Sequence, residues 1–167
     1  MTEDLQNPSS ISETDREFMR MAIALSEKNI DEGGGPFGAV IVRDGEVIAA
    51  AANRVVPNND PTAHAEVLAI REACAKLGTF NLKDCTIYAS CEPCPMCLSA
   101  IYWAGISHIC FANTKSDAAN IDFDDSFIYD QIDLPMDKRS IPCKQFMRNE
   151  ALTAFRKWRE NPNKVEY

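Results

Sequence analysis

The order of apolar and polar positions predicts a helix and a β-hairpin in the first third of the chain. Apolar residues recur at three- and four-residue steps after Ser12, a spacing typical of a helix with one buried face, and the run ends at Gly33. Two strand-like runs follow, Phe37–Val42 and Glu46–Ala52, on either side of an Arg-Asp-Gly turn. We therefore expect a helix that leads into an antiparallel pair of strands.

Helices and strands alternate after the hairpin. A polar loop leads to a helix near His64, for which Asp60 is the predicted cap, and Cys94 begins another helix. Two further strands are predicted, at Cys85–Ser90 and Ile106–Ala112. A hairpin followed by this alternation favours one mixed sheet with helices on both faces.

The two ends of the chain are less regular. Residues 1–11 are turn-like and have little to bury, which predicts a flexible N-terminal tail. Near the C-terminus, Ser140–Gln145 is a possible short edge strand and Glu150–Trp158 a last helix. No linker or repeat interrupts the rest, so residues 12–167 are expected to form a single domain.

Composition and charge narrow the class of function. The 167 residues include 17 Lys and Arg against 25 Asp and Glu, a net charge of −8. Proteins that hold nucleic acid neutralise phosphates with clustered basic residues, so this balance disfavours a polynucleotide partner. No apolar run reaches the ~20 residues that cross a bilayer, and no secretory signal is apparent. We expect a cytoplasmic protein without a membrane partner, whose seven cysteines bind metal or are buried.

Two short motifs supply the candidate chemistry. His64 and Glu66 lie in the first, and Cys94 and Cys97 lie about thirty residues later in Pro-Cys-Pro-Met-Cys. A catalytic zinc site takes three protein ligands and leaves one position for water, and H-x-E followed by P-C-x-x-C is the signature of zinc nucleobase deaminases. We predict one zinc ion per chain, held by His64, Cys94 and Cys97.

The remaining carboxylate, Glu66, is the predicted proton shuttle. Two thiolate ligands acidify a zinc-bound water less than three histidines do, so a neighbouring base is needed. Residues two apart in a helix interior point in nearly opposite directions, so His64 must lie at the helix mouth for both side chains to reach one metal. The main-chain N–H of Ala65 is then a candidate contact for water or substrate.

A structural metal site is the alternative interpretation. Such a site usually has four protein ligands, and Cys91 could be the fourth, which would make the chain a binding module rather than an enzyme. The compound motif favours the catalytic interpretation.

On these residues the chain resembles the cytidine deaminase-like superfamily and, more narrowly, the small bacterial guanine deaminases. The similarity runs from about residue 18 to the end. It rests on the two zinc motifs, on Asp-Asp-Ser-Phe at 124–127 and on a charged tail that ends in Tyr167. The zinc motifs are specific for the superfamily only, whereas the last two features narrow the resemblance to guanine.

The resemblance implies a fold, a site and an assembly. The fold would be a three-layer α/β/α sandwich with a five-stranded mixed sheet. The protein would be a homodimer in which the segment of about 130–167 is exchanged between subunits. The base would be held by a set of polar and aromatic side chains, namely Asn53, Asp125, Phe37, Trp103 and Tyr167.

The predicted activity is the hydrolysis of guanine, a small nucleobase, to xanthine and ammonia. A deaminase of another aminated ring, such as guanosine, cytosine, cytidine or ammeline, is the alternative within the class. A tRNA adenosine deaminase shares the zinc motifs, but the acidic balance disfavours it.

Overall fold

The structure, a computed structural model, describes residues 11–167. The predicted flexible tail, residues 1–11, lies outside these residues except for Ile11, which is exposed. The chain divides into two compact units, the first ending at Asp125 and the second comprising Ser126–Tyr167. The sheet and the sequence motifs for zinc both belong to the first unit.

Four strands form the sheet of the described residues. They are β1 (Gly38–Arg43), β2 (Glu46–Ala52), β3 (Cys85–Cys91) and β4 (His108–Asn113). The strand order is β2-β1-β3-β4, with β1 antiparallel to both neighbours and β3 parallel to β4. The predicted hairpin and mixed sheet are therefore confirmed.

Helices occupy most of the remaining chain. In the first unit they are α1 (Glu13–Asp31), α2 (Val55–Asn58), α3 (Ala65–Leu77), α4 (Pro95–Ala104) and α5 (Lys115–Ala119). Ser12 caps α1 through a reciprocal pair of hydrogen bonds with Asp15, as its position before the apolar run predicts. Gly78 and Gly105 end α3 and α4 in the left-handed conformation that glycine adopts without strain.

The alternation of side chains along β1 creates two cores, one on each face of the sheet. Ala39 and Ile41 are fully buried in a cluster with residues of α3 and α4. Val40 and Val42 instead pack with Phe18 and other residues of α1. Successive strand residues point to opposite faces, so one strand serves both layers. The first unit is thus a three-layer α/β/α sandwich, as predicted.

The prediction of a fifth strand is wrong. The described residues form four strands, and Ser140–Gln145 lies in irregular chain of the second unit. Pro142 lacks the N–H that a ladder needs, and the segment has no regular alternation of apolar and polar side chains. These six residues therefore do not extend the sheet.

The prediction that Asp60 caps the His64 helix is wrong, whereas the prediction that His64 lies at the mouth of that helix is confirmed. Asp60 accepts hydrogen bonds from the main-chain N–H and the hydroxyl of Thr62, at 2.8 and 2.7 Å, and so closes a local turn. The helix begins only at Ala65, with His64 as its N-cap residue. The four-residue helix α2 within the preceding loop was not predicted.

The second unit contains α6 (Ser126–Asp133), a 3₁₀ turn at Met136–Lys138 and α7 (Arg148–Glu160). The predicted last helix, Glu150–Trp158, lies within α7. None of the residues of this unit is buried in the single chain. Among residues 11–167, no helix has both the length and the apolar character needed to cross a bilayer.

Candidate functional site

Two helix starts bring the motif residues together. His64 is the N-cap of α3 and has extended backbone angles, with φ −71° and ψ 152°. Cys94 is the N-cap of α4, with φ −65° and ψ 168°, and Pro95 follows in the first turn, where the N–H that it lacks would have no intrahelical partner. The positive ends of two helix dipoles therefore lie beside these residues and favour thiolates over thiols.

His64, Cys94 and Cys97 form a compact cluster whose ligand atoms all lie within 4.8 Å of one another. His64 Nδ1 is 3.5 Å from Cys94 Sγ and 3.5 Å from Cys97 Sγ. With a Zn–N bond of about 2.0 Å and Zn–S bonds of about 2.3 Å, tetrahedral zinc holds its nitrogen and sulfur ligands about 3.5 Å apart. The donor set and its spacing therefore fit zinc.

Glu66 borders this cluster. Its side chain is buried, with 8% exposure, and its Oε2 accepts a hydrogen bond from Cys97 Sγ at 3.4 Å. Burial raises the pKa of Glu66, and the charge of Cys94 acts in the same direction. A buried carboxyl with a raised pKa beside a metal-type cluster is suited to take up and release a proton.

The two thiols share one hydrogen bond and differ in acidity. The hydrogen bond from Cys97 lowers the pKa of Cys94 to about 4, and the bond with His64 adds to this. The same contact with Cys94, together with burial, raises the pKa of Cys97. The bond with Cys94 also raises the pKa of His64. The cluster therefore favours the thiolate form at Cys94, which is the form that binds zinc.

The alternative with Cys91 as a fourth ligand is not supported by the geometry. Cys91 is buried at the end of β3, and its Sγ donates to the main-chain oxygen of Thr114 at 3.6 Å. It is not among the ligand atoms that cluster within 4.8 Å. Three protein ligands leave one tetrahedral position for water or substrate, as in catalytic zinc sites.

Asn53 and Phe37 both lie close to Gly35. Asn53 follows β2 and is buried, and its main-chain N–H donates to the oxygen of Phe37 at 3.0 Å. A Cβ at Gly35 would lie 3.3 Å from Asn53 Cγ and 3.4 Å from Phe37 Cδ2. The ring of Phe37 packs edge-on against Phe123, with centroids 5.0 Å apart and planes at 88°. This contact fixes the orientation of the Phe37 ring.

The other predicted residues have different environments. Ala65 is the first residue of α3 and is fully buried, and an N–H in this helical position has no intrahelical acceptor. Asp125 is partly buried, which raises its pKa, and the charge of Cys94 raises it further. Trp103 lies on α4 with 73% exposure. Tyr167 ends the second unit and is 81% exposed in the single chain.

Three residues of this region were not singled out from the sequence. Asn29 and Arg54 contact the segment of Asn53, and Phe123 supports Phe37. Phe123 directly precedes the Asp-Asp-Ser-Phe motif at 124–127, but its contact with Phe37 depends on tertiary packing. Asn29 lies in a helix of ordinary composition, and no local pattern marks it.

The chain is similar to deaminases over about nine-tenths of its length. Residues 12–113 match the model of the cytidine and deoxycytidylate deaminase zinc-binding region. Guanine deaminase of Bacillus subtilis is 53% identical over 151 residues, which cover 90% of this chain and 97% of that protein. Its X-ray structure has a TM-score of 0.89 at 52% identity, covering 91% of this chain and 98% of that one.

More distant relatives match a smaller share of the chain. The structure of guanine deaminase from Nitrosomonas europaea has a TM-score of 0.62 at 33% identity, covering 82% of this chain and 70% of that one. The tRNA-specific adenosine deaminase of Aquifex aeolicus is 42% identical over 95 residues, which cover 57% of this chain and 63% of that protein. With its His/Cys/Cys cluster, the chain belongs to the zinc-binding cytidine and deoxycytidylate deaminase family, and within that family it resembles the bacterial guanine deaminases.

Proposed function

We propose that this protein hydrolyses guanine to xanthine and ammonia by breaking the exocyclic C–N bond. The observation that carries the reaction type is the buried Glu66 carboxyl against the cluster of His64, Cys94 and Cys97. The choice of guanine is supported by 53% identity to a guanine deaminase over 90% of the chain.

We further propose that His64, Cys94 and Cys97 hold one zinc ion per chain. A zinc ion there would acidify a water molecule so that it attacks as a nucleophile near neutral pH. Glu66 accepts a proton from the attacking water and delivers it to a ring nitrogen. Glu66 next takes the proton of the added hydroxyl group and passes it to the amine, which leaves as ammonia while the carbonyl of xanthine forms, so one carboxyl serves as base and as acid in turn.

The proposed base site combines polar and aromatic side chains. The edge of guanine mixes N–H donors with oxygen and nitrogen acceptors, and the carboxylate of Asp125 with the amide of Asn53 suits that mixture. Phe37 and Trp103 provide ring faces for stacking, and Ala65 provides a main-chain donor. The fixed ring of Phe37 and the burial of Asn53 support these assignments.

We also propose that residues 12–167 act as a domain whose C-terminal segment, from about residue 130, is exchanged in a homodimer. Several large apolar side chains of this segment are exposed in the single chain, and they include Ile141, Phe146, Phe155 and Trp158. Packing of the exchanged segment against the partner subunit would bury such surface. Tyr167 of the exchanged segment would then close the base site of the partner subunit.

A substrate panel tests the activity. Ammonia release from guanine, guanosine, cytidine, cytosine, adenine and ammeline is measured with one enzyme preparation. We expect guanine to have the highest kcat/KM, with Glu66→Gln as the control that excludes a contaminating deaminase. Faster turnover of a nucleoside or of a pyrimidine would contradict the assignment to guanine.

The same preparation tests a nucleic-acid substrate. The net charge of −8 and the limited coverage of the tRNA deaminases argue against one. Binding of tRNA that is tight and weakens steeply with salt would overturn this part of the proposal.

A further inference from the structure

A buried asparagine of α1 joins two segments of the candidate base site. Asn29 has 1% exposure, so each of its polar atoms needs a partner within the protein. Its Nδ2 donates to the main-chain oxygens of Gly35 and Asn53, at 2.8 and 2.7 Å. Its Oδ1 accepts from Nη1 of Arg54 at 3.4 Å. Asn29 therefore holds the segments of Gly35 and Asn53 at a fixed separation.

The side chain of Asn53 is oriented by the same two segments. Its Oδ1 accepts from the main-chain N–H groups of Val55 and Gly35, at 3.2 and 3.4 Å. A main-chain N–H can only donate, so the atom that faces both groups must be the amide oxygen. The NH₂ group of Asn53 is consequently directed away from these segments and remains available as a donor.

Gly34 shows how closely the three segments approach. A Cβ there would lie 2.2 Å from Nδ2 of Asn29 and 2.5 Å from the main-chain oxygen of Asn53. Both contacts are well inside van der Waals separation. Only a glycine therefore permits Asn29 to bond both carbonyls at once.

We propose that Asn29 is a positioning residue for base recognition. Asn29 holds the main-chain oxygens of Gly35 and Asn53. It thereby keeps the side-chain oxygen of Asn53 directed at the neighbouring main-chain N–H groups and leaves the NH₂ group directed at the base. A substrate must then present an acceptor, a carbonyl oxygen or an unprotonated ring nitrogen, to Asn53. The inference rests on the proposed function, in which Asn53 contacts the base.

A double-mutant cycle tests the positioning role. Asn29→Ala is expected to raise the KM for guanine about tenfold, with a smaller change in kcat, because a misplaced donor weakens binding by about 1.4 kcal/mol. In an Asn53→Ala background, Asn29→Ala should leave KM nearly unchanged, since no oriented amide remains. An equal effect in both backgrounds would overturn the inference.

Two further variants and a control separate positioning from folding. Asn29→Asp keeps the shape of the side chain but replaces its NH₂ donor with an oxygen. Gly34→Ala keeps Asn29 but adds a methyl group that pushes the Asn29 side chain away from the two carbonyls. Both should reproduce the rise in KM with zinc content unchanged. Ser26 lies one turn earlier on α1, is buried and bonds only its own helix at the oxygen of Ile23. Ser26→Ala should lower the melting temperature without changing KM.

Asn53→Asp tests the donor assignment. Its carboxylate can still accept the two main-chain N–H groups, but it offers no donor to the base, so KM should rise at least as much as in Asn53→Ala. Binding of xanthine, measured by calorimetry, should weaken in parallel. Wild-type affinity in Asn53→Asp would overturn the inference while guanine turnover stands. A wild-type enzyme that turns over no ring of the panel would refute the proposed function instead.

Discussion

The spacing of His64 and Glu66 works because a helix begins between them. His64 has the extended angles of an N-cap residue, whereas Glu66 lies within the first turn of α3. Two positions apart on a continuous helix, the two side chains would diverge. The change of backbone at Ala65 turns both toward Cys97, whose sulfur lies 3.5 Å from His64 Nδ1 and 3.4 Å from Glu66 Oε2.

Removal of the Glu66 charge should separate metal binding from turnover. Glu66→Gln keeps the shape of the side chain but cannot accept a proton. General acid–base catalysis contributes roughly 10²- to 10⁴-fold, so kcat should fall by that factor. Zinc content, measured by atomic absorption, should remain one ion per chain.

Glu72 provides the matched control for Glu66. It lies on the same helix but is exposed, so Glu72→Gln should leave kcat, KM and zinc content unchanged. A Glu66→Gln enzyme with wild-type kcat would refute the proton-shuttle role.

Loss of one thiol should release the metal. Cys94→Ala leaves His64 and Cys97, and two ligands hold zinc far more weakly than three. We expect less than one-tenth of the wild-type zinc content after dialysis, together with loss of turnover. Cys143 is exposed, so Cys143→Ala should keep the metal. Full zinc content in Cys94→Ala would exclude the proposed ligand set.

At the scale of helices and strands, the sequence correctly predicted those elements that are determined by interactions between neighbouring residues. The cap at Ser12, the Asp-Gly turn of the hairpin and the apolar steps of α1 each act between neighbouring residues, and the structure agrees. The turn at Asp60 was misassigned because its carboxylate bonds Thr62 rather than a helix N–H. Asn29 was overlooked because its partners, Gly35 and Asn53, meet it only in the folded chain.

Asp15 links the cap of α1 to the sheet and should make stability depend on pH. Its carboxylate accepts from the Ser12 hydroxyl at 2.6 Å and from the Tyr88 hydroxyl at 2.6 Å. The hydrogen bond from Ser12 and then that from Tyr88 lower the pKa of Asp15. Because the pKa of Asp15 is lower in the folded than in the unfolded chain, its carboxylate stabilises the fold at pH values above the unfolded pKa of about 3.9. This stabilisation is lost as the pH falls through the folded pKa.

Thermal unfolding of Asp15→Ala measures this contribution. At pH 7, loss of about 1 kcal/mol should lower the melting temperature by about 2–4 °C. The difference from wild type should shrink as the pH falls below 4. Glu17→Ala, at an exposed position of the same helix, should melt near the wild-type temperature throughout. A difference that is constant from pH 7 to pH 3 would contradict the role of the carboxylate.

At the scale of the whole molecule, the two units differ in how much they bury. The first unit encloses an apolar cluster on each face of its sheet. The second has no buried residue in the single chain, although α7 carries Phe155 and Trp158. A segment of this composition is stable only against another surface, which motivates the proposed exchange in a dimer.

Deletion of the last three residues tests both the closure of the site and the exchange. If Tyr167 covers the partner's base, removing 165–167 eliminates one aromatic contact and one hydrogen bond, together about 1–3 kcal/mol, or roughly a 5- to 150-fold fall in kcat/KM for guanine. Zinc content should not change, because His64, Cys94 and Cys97 lie in the first unit. The dimer should persist in analytical ultracentrifugation, since α7 remains.

Tyr167→Phe and Tyr167→Ala divide the effect between hydroxyl and ring. Tyr167→Phe keeps the ring that covers the base and loses only the hydrogen bond, so its kcat/KM should fall less than that of Tyr167→Ala.

Mixed dimers then test the exchange, because a Glu66→Gln subunit can supply an intact Tyr167 to a subunit that lacks its own. Activity regained on mixing the two inactive or impaired proteins requires that the tail act across the interface. If mixing restores nothing, or if the wild-type protein sediments as a monomer, each tail serves its own chain or no site, and the exchange is refuted.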